Sequence, residues 1–285
     1  MTRRVALLGK PLRRRHSVIM HNAAFAAAGI DGRYELLELD EAEVAGAVAA
    51  ARGPDFLGLG VTAPYKPLVA SLVDEVEGDA QTIGAVNNVV RTDDGRLIGF
   101  NTDAPGFQAG VELAMGHPLA GAAVVVAGAG GAAHAVVFGC LAAGARRVTI
   151  ANRTAAPGEA LAARFRAVGS GSVSAVPLDG AEVVEALGSA DLAVNATTIG
   201  MIDPGSAFNV ELLPPAATVF DLVYVPAETP IVANARARGL RAANGSEMLI
   251  AQAALAFERW TGVGGMAGVM RAAVGPLLAD ATVRA

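Results

Sequence analysis

Short apolar runs alternate with Ala-rich helical stretches along nearly the whole chain. Val5-Ala6-Leu7-Leu8-Gly9 reads as a buried strand, and His21 to Gly29 as a helical stretch that Gly29 ends. Tyr34 to Leu39 and Phe56 to Val61 are further strands, separated by a helical run from Glu41 to Arg52. Pro64 and Pro67 bracket a helix start, and Ala85 to Arg91 with Leu97 to Phe100 predicts a hairpin around Asp93-Asp94-Gly95. A first lobe closes near residue 101. After a helix at about 104 to 115 come a strand over Ala122 to Ala127, a glycine turn, a helix to Ala143, a strand over Arg147 to Ala151 and a helix from Glu159. Strands at Asp191 to Asn195 and Thr218 to Leu222, each after a helical run, predict a parallel doubly wound sheet. Helices over Met248 to Trp260 and Ala267 to Leu278 end the chain and are expected to return to the first lobe. With no repeat and no long linker, the lobes are expected to meet across a cleft.

Composition narrows the class. A length of 285 residues suits two modest lobes, and 34 glycines scattered among Ala, Val and Leu fit the tight turns of an α/β protein. Although 53% of residues are hydrophobic, no apolar stretch reaches the roughly 18 residues of a membrane-spanning helix. A net charge of −5 supplies no positive field for nucleic acid or anionic lipid. The basic run Arg13-Arg14-Arg15 reads by itself as a solvated loop face. The lone Cys140 excludes an intrachain disulfide and a cysteine metal cluster, and is expected as a buried small hydrophobe. The first apolar segment is too short for a signal peptide and ends at Gly9-Lys10-Pro11, so the cytoplasm is the expected compartment.

The strongest local chemistry is the turn Gly128-Ala129-Gly130-Gly131-Ala132 between an apolar strand and an Ala-rich helix. Its first glycine permits the turn, its second lets a pyrophosphate approach the backbone, and the helix amides beyond donate to phosphate. Ala133 stands where a third glycine is usual. About 20 residues on, an acid would bond the ribose 2′-hydroxyl of NAD. The chain instead has Asn152-Arg153-Thr154, which suits the 2′-phosphate of NADP.

Asn152-Arg153-Thr154 after the glycine turn resembles the shikimate dehydrogenase family, and further segments extend the likeness in order. They are Val61-Thr62-Ala63-Pro64-Tyr65-Lys66, Gly84-Ala85-Val86-Asn87-Asn88, Asn101-Thr102-Asp103, Asn195-Ala196-Thr197, Asp221-Leu222-Val223-Tyr224 and Met248-Leu249-Ile250-Ala251-Gln252-Ala253. The resemblance implies an α/β fold with a substrate-binding catalytic lobe at 1–103. It also implies a doubly wound Rossmann-type NADP lobe at 104–243 and C-terminal helices at 244–285 packing on the substrate lobe. It implies a monomeric or homodimeric oxidoreductase of aromatic amino acid biosynthesis that takes a small cyclic hydroxy-carboxylate, with no metal, nucleic acid or membrane partner.

By the same resemblance Lys66 and Asp103 form the catalytic pair. Lys66 shuttles the hydroxyl proton and steadies alkoxide charge, while Asp103 orients it and bonds a substrate hydroxyl. Read without the flanking motifs, Lys66 is a surface lysine at a helix start and Asp103 a helix cap. Thr62, Asn87, Tyr224 and Gln252 are expected to bind substrate, although Asn87 and Gln252 also read as structural amides. Thr197, Leu222, Gly245 and Met248 join the turn and Asn152 to Thr154 at the cofactor.

Four positions depart from the family pattern. The family opens with two serines that hold the substrate carboxylate; Ser17 matches the second, but Arg15 replaces the first and is expected to grip the carboxylate or shorten the pocket. Gly60 stands where an asparagine bonds ring hydroxyls. Glu247 replaces a glycine near the nicotinamide, and Pro157 a second phosphate-binding arginine, so NAD use is possible. These changes raise the alternatives of a quinate or aminoshikimate dehydrogenase, or of a non-catalytic nucleotide sensor. Asn101-Thr102-Asp103 and Asn152-Arg153-Thr154 argue against a tetrahydrofolate-type dehydrogenase.

Overall fold

The computed structural model describes residues 2–12, 15–201 and 204–279. Arg13 and Arg14 of the basic run and the last residues of the expected C-terminal segment, 280–285, lie outside them. The chain forms two compact units, one running to Thr102 and including Ile250–Leu277, the other spanning Asp103–Leu249.

The first unit opens with β1 (Arg3–Gly9), α1 (His16–Ala27), β2 (Gly32–Glu38), α2 (Glu41–Ala50), β3 (Phe56–Val61) and α3 (Lys66–Ala70). It continues through β4 (Glu75–Val76), α4 (Asp79–Ile83), β5 (Asn88–Arg91) and β6 (Leu97–Phe100). The second holds α5 (Asp103–Met115), β7 (Ala123–Ala127), α6 (Gly131–Ala142), β8 (Arg147–Asn152), α7 (Ala155–Phe165), β9 (Ser172–Pro177), α8 (Ala181–Gly188) and β10 (Leu192–Asn195). There follow β11 (Thr218–Asp221), α9 (Pro230–Ala237) and β12 (Arg241–Asn244), and then α10 (Ser246–Thr261) and α11 (Ala267–Ala279).

In the first unit the strand order is β2-β1-β3-β5-β6-β4, with β1 parallel to both β2 and β3 and β5 antiparallel to its two neighbours. Ala6, Leu8, Leu59 and Val61 line one face and pack on Val44 and Val48 of α2. The opposite face packs on α1 and α10, where aromatic rings replace aliphatic side chains. Phe25 meets Phe257 edge to face at 5.0 Å, and His21 stacks on Tyr34 at 4.3 Å and tilts against Trp260 at 5.2 Å. Glycines make room for this layer. Trp260 lies over Gly58 and donates its indole N–H to the Val89 carbonyl at 2.9 Å.

Helix α1 begins at His16 rather than His21, because the Arg15 carbonyl accepts the Ile19 N–H and opens the first turn. Its early residues pair β-branched with polar side chains, which hides the helical period. Asn22 then clamps β2 by exchanging two hydrogen bonds with the Tyr34 backbone, at 2.8 and 3.0 Å. Helix α7 likewise begins at Ala155 rather than Glu159, since Pro157 falls in its first turn, where no N–H is required. Strands β4, β9 and β12 were not expected: β4 is two residues long, and β9 and β12 are half-exposed sheet edges without an apolar run.

Burial pushes the His21 imidazole down to about 3, so the folded protein holds it neutral. The unfolded chain protonates it near its ordinary value of about 6.5. Between these values the unfolded state binds more protons, so stability rises with pH across the window and is lost as pH falls. Thermal melts between pH 7 and 4 are expected to show a loss approaching about 1.4 kcal/mol per pH unit well below pH 6.5. His21→Phe should flatten that slope; an unchanged slope in the variant would place its origin elsewhere.

The second unit carries six parallel strands in the order β12-β11-β10-β7-β8-β9. The winding reverses between β7 and β10. Val125, Val219, Ile231 and Val232 belong to the core on one face, and Phe107 of α5 meets Phe220 edge to face at 5.8 Å on the other. Cys140 is fully buried within α6, which raises its thiol pKa. No helix among the described residues is long and apolar enough to cross a membrane.

Candidate active site

In the second unit, the residues expected at the cofactor lie beyond the carboxyl ends of the parallel strands, around the reversal between β7 and β10. This is where doubly wound sheets bind dinucleotides. Gly128 has φ +105°, and a Cβ there would stand 2.9 Å from Thr197 Cγ2. Glycine is therefore required on both conformational and steric grounds. Gly130 caps α6 and Gly131 begins it, and a Cβ at either would face open space. The space above the first α6 amides is thus free for a pyrophosphate, with the helix dipole favouring the anion. Asn152 ends β8, and exposed Arg153 and Thr154 lead into α7, whose first three residues are also exposed. The Asn152 amide donates to the Thr154 carbonyl at 2.7 Å, so it shapes this loop.

A buried polar network holds the loops after β10 and β11. Asn195 accepts from the Thr197 N–H and hydroxyl at 3.0 and 2.6 Å, and donates to Asp221 at 2.9 Å. Asp221 also accepts from the Val223 N–H at 3.0 Å and the Thr229 hydroxyl at 2.6 Å. Burial raises the Asp221 pKa, opposed by these three donors. The network fixes Thr197 directly, while the Leu222 N–H is held by the Asn195 carbonyl at 3.0 Å. Half-buried Tyr224 follows it. At Gly245 a Cβ would fall inside contact of the Leu222 carbonyl, and Asn244 accepts from the Ser246 N–H at 3.0 Å to set the turn into α10. Met248 packs by its backbone against Gly110 of α5. Sequence reading assigned no role to Asn195, Asp221 or Asn244. Asn195 and Asp221 stood in motifs that carried other residues, whereas Asn244 lay in none.

In the first unit, Thr62, Lys66, Asn87 and Gln252 gather around the end of the sheet from which β3 and β6 emerge. The Thr62 N–H bonds the Leu8 carbonyl at 2.8 Å, and Tyr65 anchors the next turn by donating its hydroxyl to the Leu39 carbonyl at 2.7 Å. Lys66 starts α3, half-buried, and its carbonyl accepts the Val86 N–H at 3.1 Å. Asn87 is buried; it accepts the Thr102 N–H at 2.9 Å and donates to the Thr102 hydroxyl at 3.1 Å. Asn88 joins both at 2.9 Å, and the Thr102 hydroxyl points to Gln252 Oε1 at 3.4 Å. Asn101 donates to the Ala85 carbonyl at 2.9 Å. Asn88, Asn101 and Thr102 are further residues that received no individual role from the sequence. Arg15 is exposed immediately before α1, and Ser17 is half-buried in its first turn. Asp103 is the first residue of α5 in the second unit, also half-buried.

A doubly wound parallel sheet with a glycine turn at its reversal point, in one chain with a lysine-bearing α/β unit, defines a dinucleotide-dependent oxidoreductase. Comparison with known families matches the shikimate dehydrogenase substrate binding domain to residues 7–89. Shikimate / quinate 5-dehydrogenase matches residues 112–201, and the shikimate 5′-dehydrogenase C-terminal domain residues 245–274. Shikimate dehydrogenase (NADP(+)) of Geobacter sulfurreducens is 40% identical over 275 residues, covering 95% of each chain. The Rubrobacter xylanophilus protein of the same name is 44% identical over 279 residues, covering 95% of this chain and 94% of its own. Shikimate 5-dehydrogenase from Thermus thermophilus, crystallised with NADP(H) and shikimate, superposes with a TM-score of 0.83 at 39% identity, covering 95% of this chain and 100% of its own. The chain belongs to the shikimate dehydrogenase family.

Proposed function

We propose that the chain is a cytoplasmic NADP-dependent oxidoreductase that interconverts shikimate and its 3-dehydro ketone. The observation that carries this reading is the 40% identity, spread over 95% of both chains, to a shikimate dehydrogenase that uses NADP(+). It favours shikimate over quinate or an amino analogue, and an enzyme over a sensor. Residues 1–103 serve as substrate lobe and 104–243 as NADP lobe, and the helical stretch Ile250–Leu277 returns to the former.

Bound NADP supplies a nicotinamide that accepts or donates hydride. Gly128 to Ala132 receive the pyrophosphate at the α6 N-terminus, and Arg153 with Thr154 grip the 2′-phosphate, a loop conformation that Asn152 stabilises. Thr197, Leu222, Gly245 and Met248 complete the nucleotide side. Lys66 takes the hydroxyl proton during oxidation and returns it during reduction, and Asp103 bonds a substrate hydroxyl. Ser17 and Arg15 hold the carboxylate at the start of α1, where the helix amides also favour an anion. Thr62, Tyr224 and Gln252 contact the ring hydroxyls, and Asn87 acts mainly by fixing Thr102.

Steady-state rates on shikimate, quinate and aminoshikimate with NADP and NAD test the reading. Shikimate with NADP should give the highest kcat/KM. Arg153→Ala should raise the NADP KM about tenfold or more and spare NAD, since a charge-assisted contact to phosphate is lost. Higher kcat/KM on quinate or aminoshikimate would overturn the substrate assignment, and an unchanged NADP KM the role of Arg153.

A further inference from the structure

Tyr34 sits on β2, two strands away from β3, yet its ring crosses β1 to reach Gly60. A Cβ at Gly60 would stand 2.5 Å from the Tyr34 hydroxyl oxygen and 3.1 Å from Leu7 Cδ1. The register explains the reach: Tyr34 pairs with Val5 of β1, Leu7 pairs with Gly60 of β3, and all four positions project to one face. Thr62 follows Gly60 by two residues and so continues that face. Asn88, the antiparallel partner of Gly60, bonds the Thr102 hydroxyl at 2.9 Å. The Tyr34 hydroxyl is thereby delivered to the polar end of the sheet that carries Thr62, Asn88 and Thr102.

Tyr34 is only 3% exposed. Its hydrogen bonds among the described residues run through the backbone, to Asn22, and its hydroxyl takes part in none of them. The hydroxyl therefore keeps its hydrogen-bonding capacity for a bound molecule. The ring itself is rigidly placed, between the Asn22 clamp and the stacked His21. Burial raises the phenol pKa, so the group remains a proton donor.

We propose that the Tyr34 hydroxyl is a specificity-determining contact for a ring hydroxyl of the substrate, reaching through the gap that Gly60 leaves in β3. It rests on the shikimate reading above. In place of an amide on β3 itself, this chain offers a phenol from β2, which donates one proton and accepts in return. It thus selects a hydroxylated ring carbon at one position.

The test compares wild type and Tyr34→Phe on shikimate and on its 4-deoxy and 5-deoxy analogues, with melting temperature measured alongside. Wild type should lose about tenfold in kcat/KM on the analogue that lacks the contacted hydroxyl. Tyr34→Phe should show a shikimate KM raised about tenfold, an unchanged NADP KM, an equal or higher Tm, and no remaining discrimination against that one analogue. Equal kinetics of the two proteins on all three compounds would overturn the assignment while leaving the shikimate reading intact, as would a uniform loss on all three. Absence of wild-type turnover on shikimate would remove both.

Discussion

Alanine at position 66 is expected to lower kcat by about a thousandfold while leaving NADP affinity where it is. Proton transfer by a positioned side chain contributes about 10² to 10⁴ in rate, and alkoxide stabilisation adds to it. What makes the experiment clean is that Lys66 is held by its backbone: its carbonyl accepts the Val86 N–H, and Pro67 follows it in α3. The variant keeps both features, so the turn should persist when the amine is gone. NADP titration by fluorescence and steady-state assays on shikimate separate the two quantities. A rate equal to wild type would refute the proton-shuttle role; weakened NADP binding with the lost rate would point to a general structural defect.

The largest stability effect is expected at Gly58. A methyl group there would fall well inside contact of the Val89 carbonyl oxygen and 2.8 Å from Trp260 Nε1. The carbonyl belongs to the antiparallel partner strand and also accepts the indole N–H, at 2.9 Å. Neither backbone can yield without breaking the β3–β5 ladder, and the indole can yield only by giving up its bond. Overpacking costs about 1–3 kcal/mol and an orphaned buried donor about 1–3 more. Gly58→Ala should therefore lower Tm by about 10 °C. Because Trp260 is the sole tryptophan, its emission should shift to the red in the same variant. A wild-type Tm and emission would mean that the sheet absorbs the methyl group.

Much of the fold and of the candidate site was legible because chemistry and tight turns demand particular residues in a fixed local order. The glycine turn, Asn152-Arg153-Thr154 and the segments around Lys66 and Asp103 are such cases, and the central strands announce themselves as apolar runs. Edge strands do not. Ser172–Pro177 and Arg241–Asn244 each pair on one side only and carry polar side chains. The amides were visible but ambiguous. Asn195 serves the site by holding Asp221, 26 positions away, and Asn87 by holding Thr102, 15 positions away. Such roles follow from tertiary placement that no local pattern encodes. Gly60 reads in the sequence only as a lost amide, because the Tyr34 hydroxyl beside it comes from another strand.

The discontinuity of the first unit has a consequence for biosynthesis. Its aromatic layer needs Phe257 and Trp260, which are translated after the whole of Asp103–Leu249. Domains generally fold as units while the chain grows. Here the unit encoded second is contiguous and can close its sheet on the ribosome, whereas the unit encoded first must wait with an open apolar face. Chaperone dependence should therefore concentrate on the N-terminal segment.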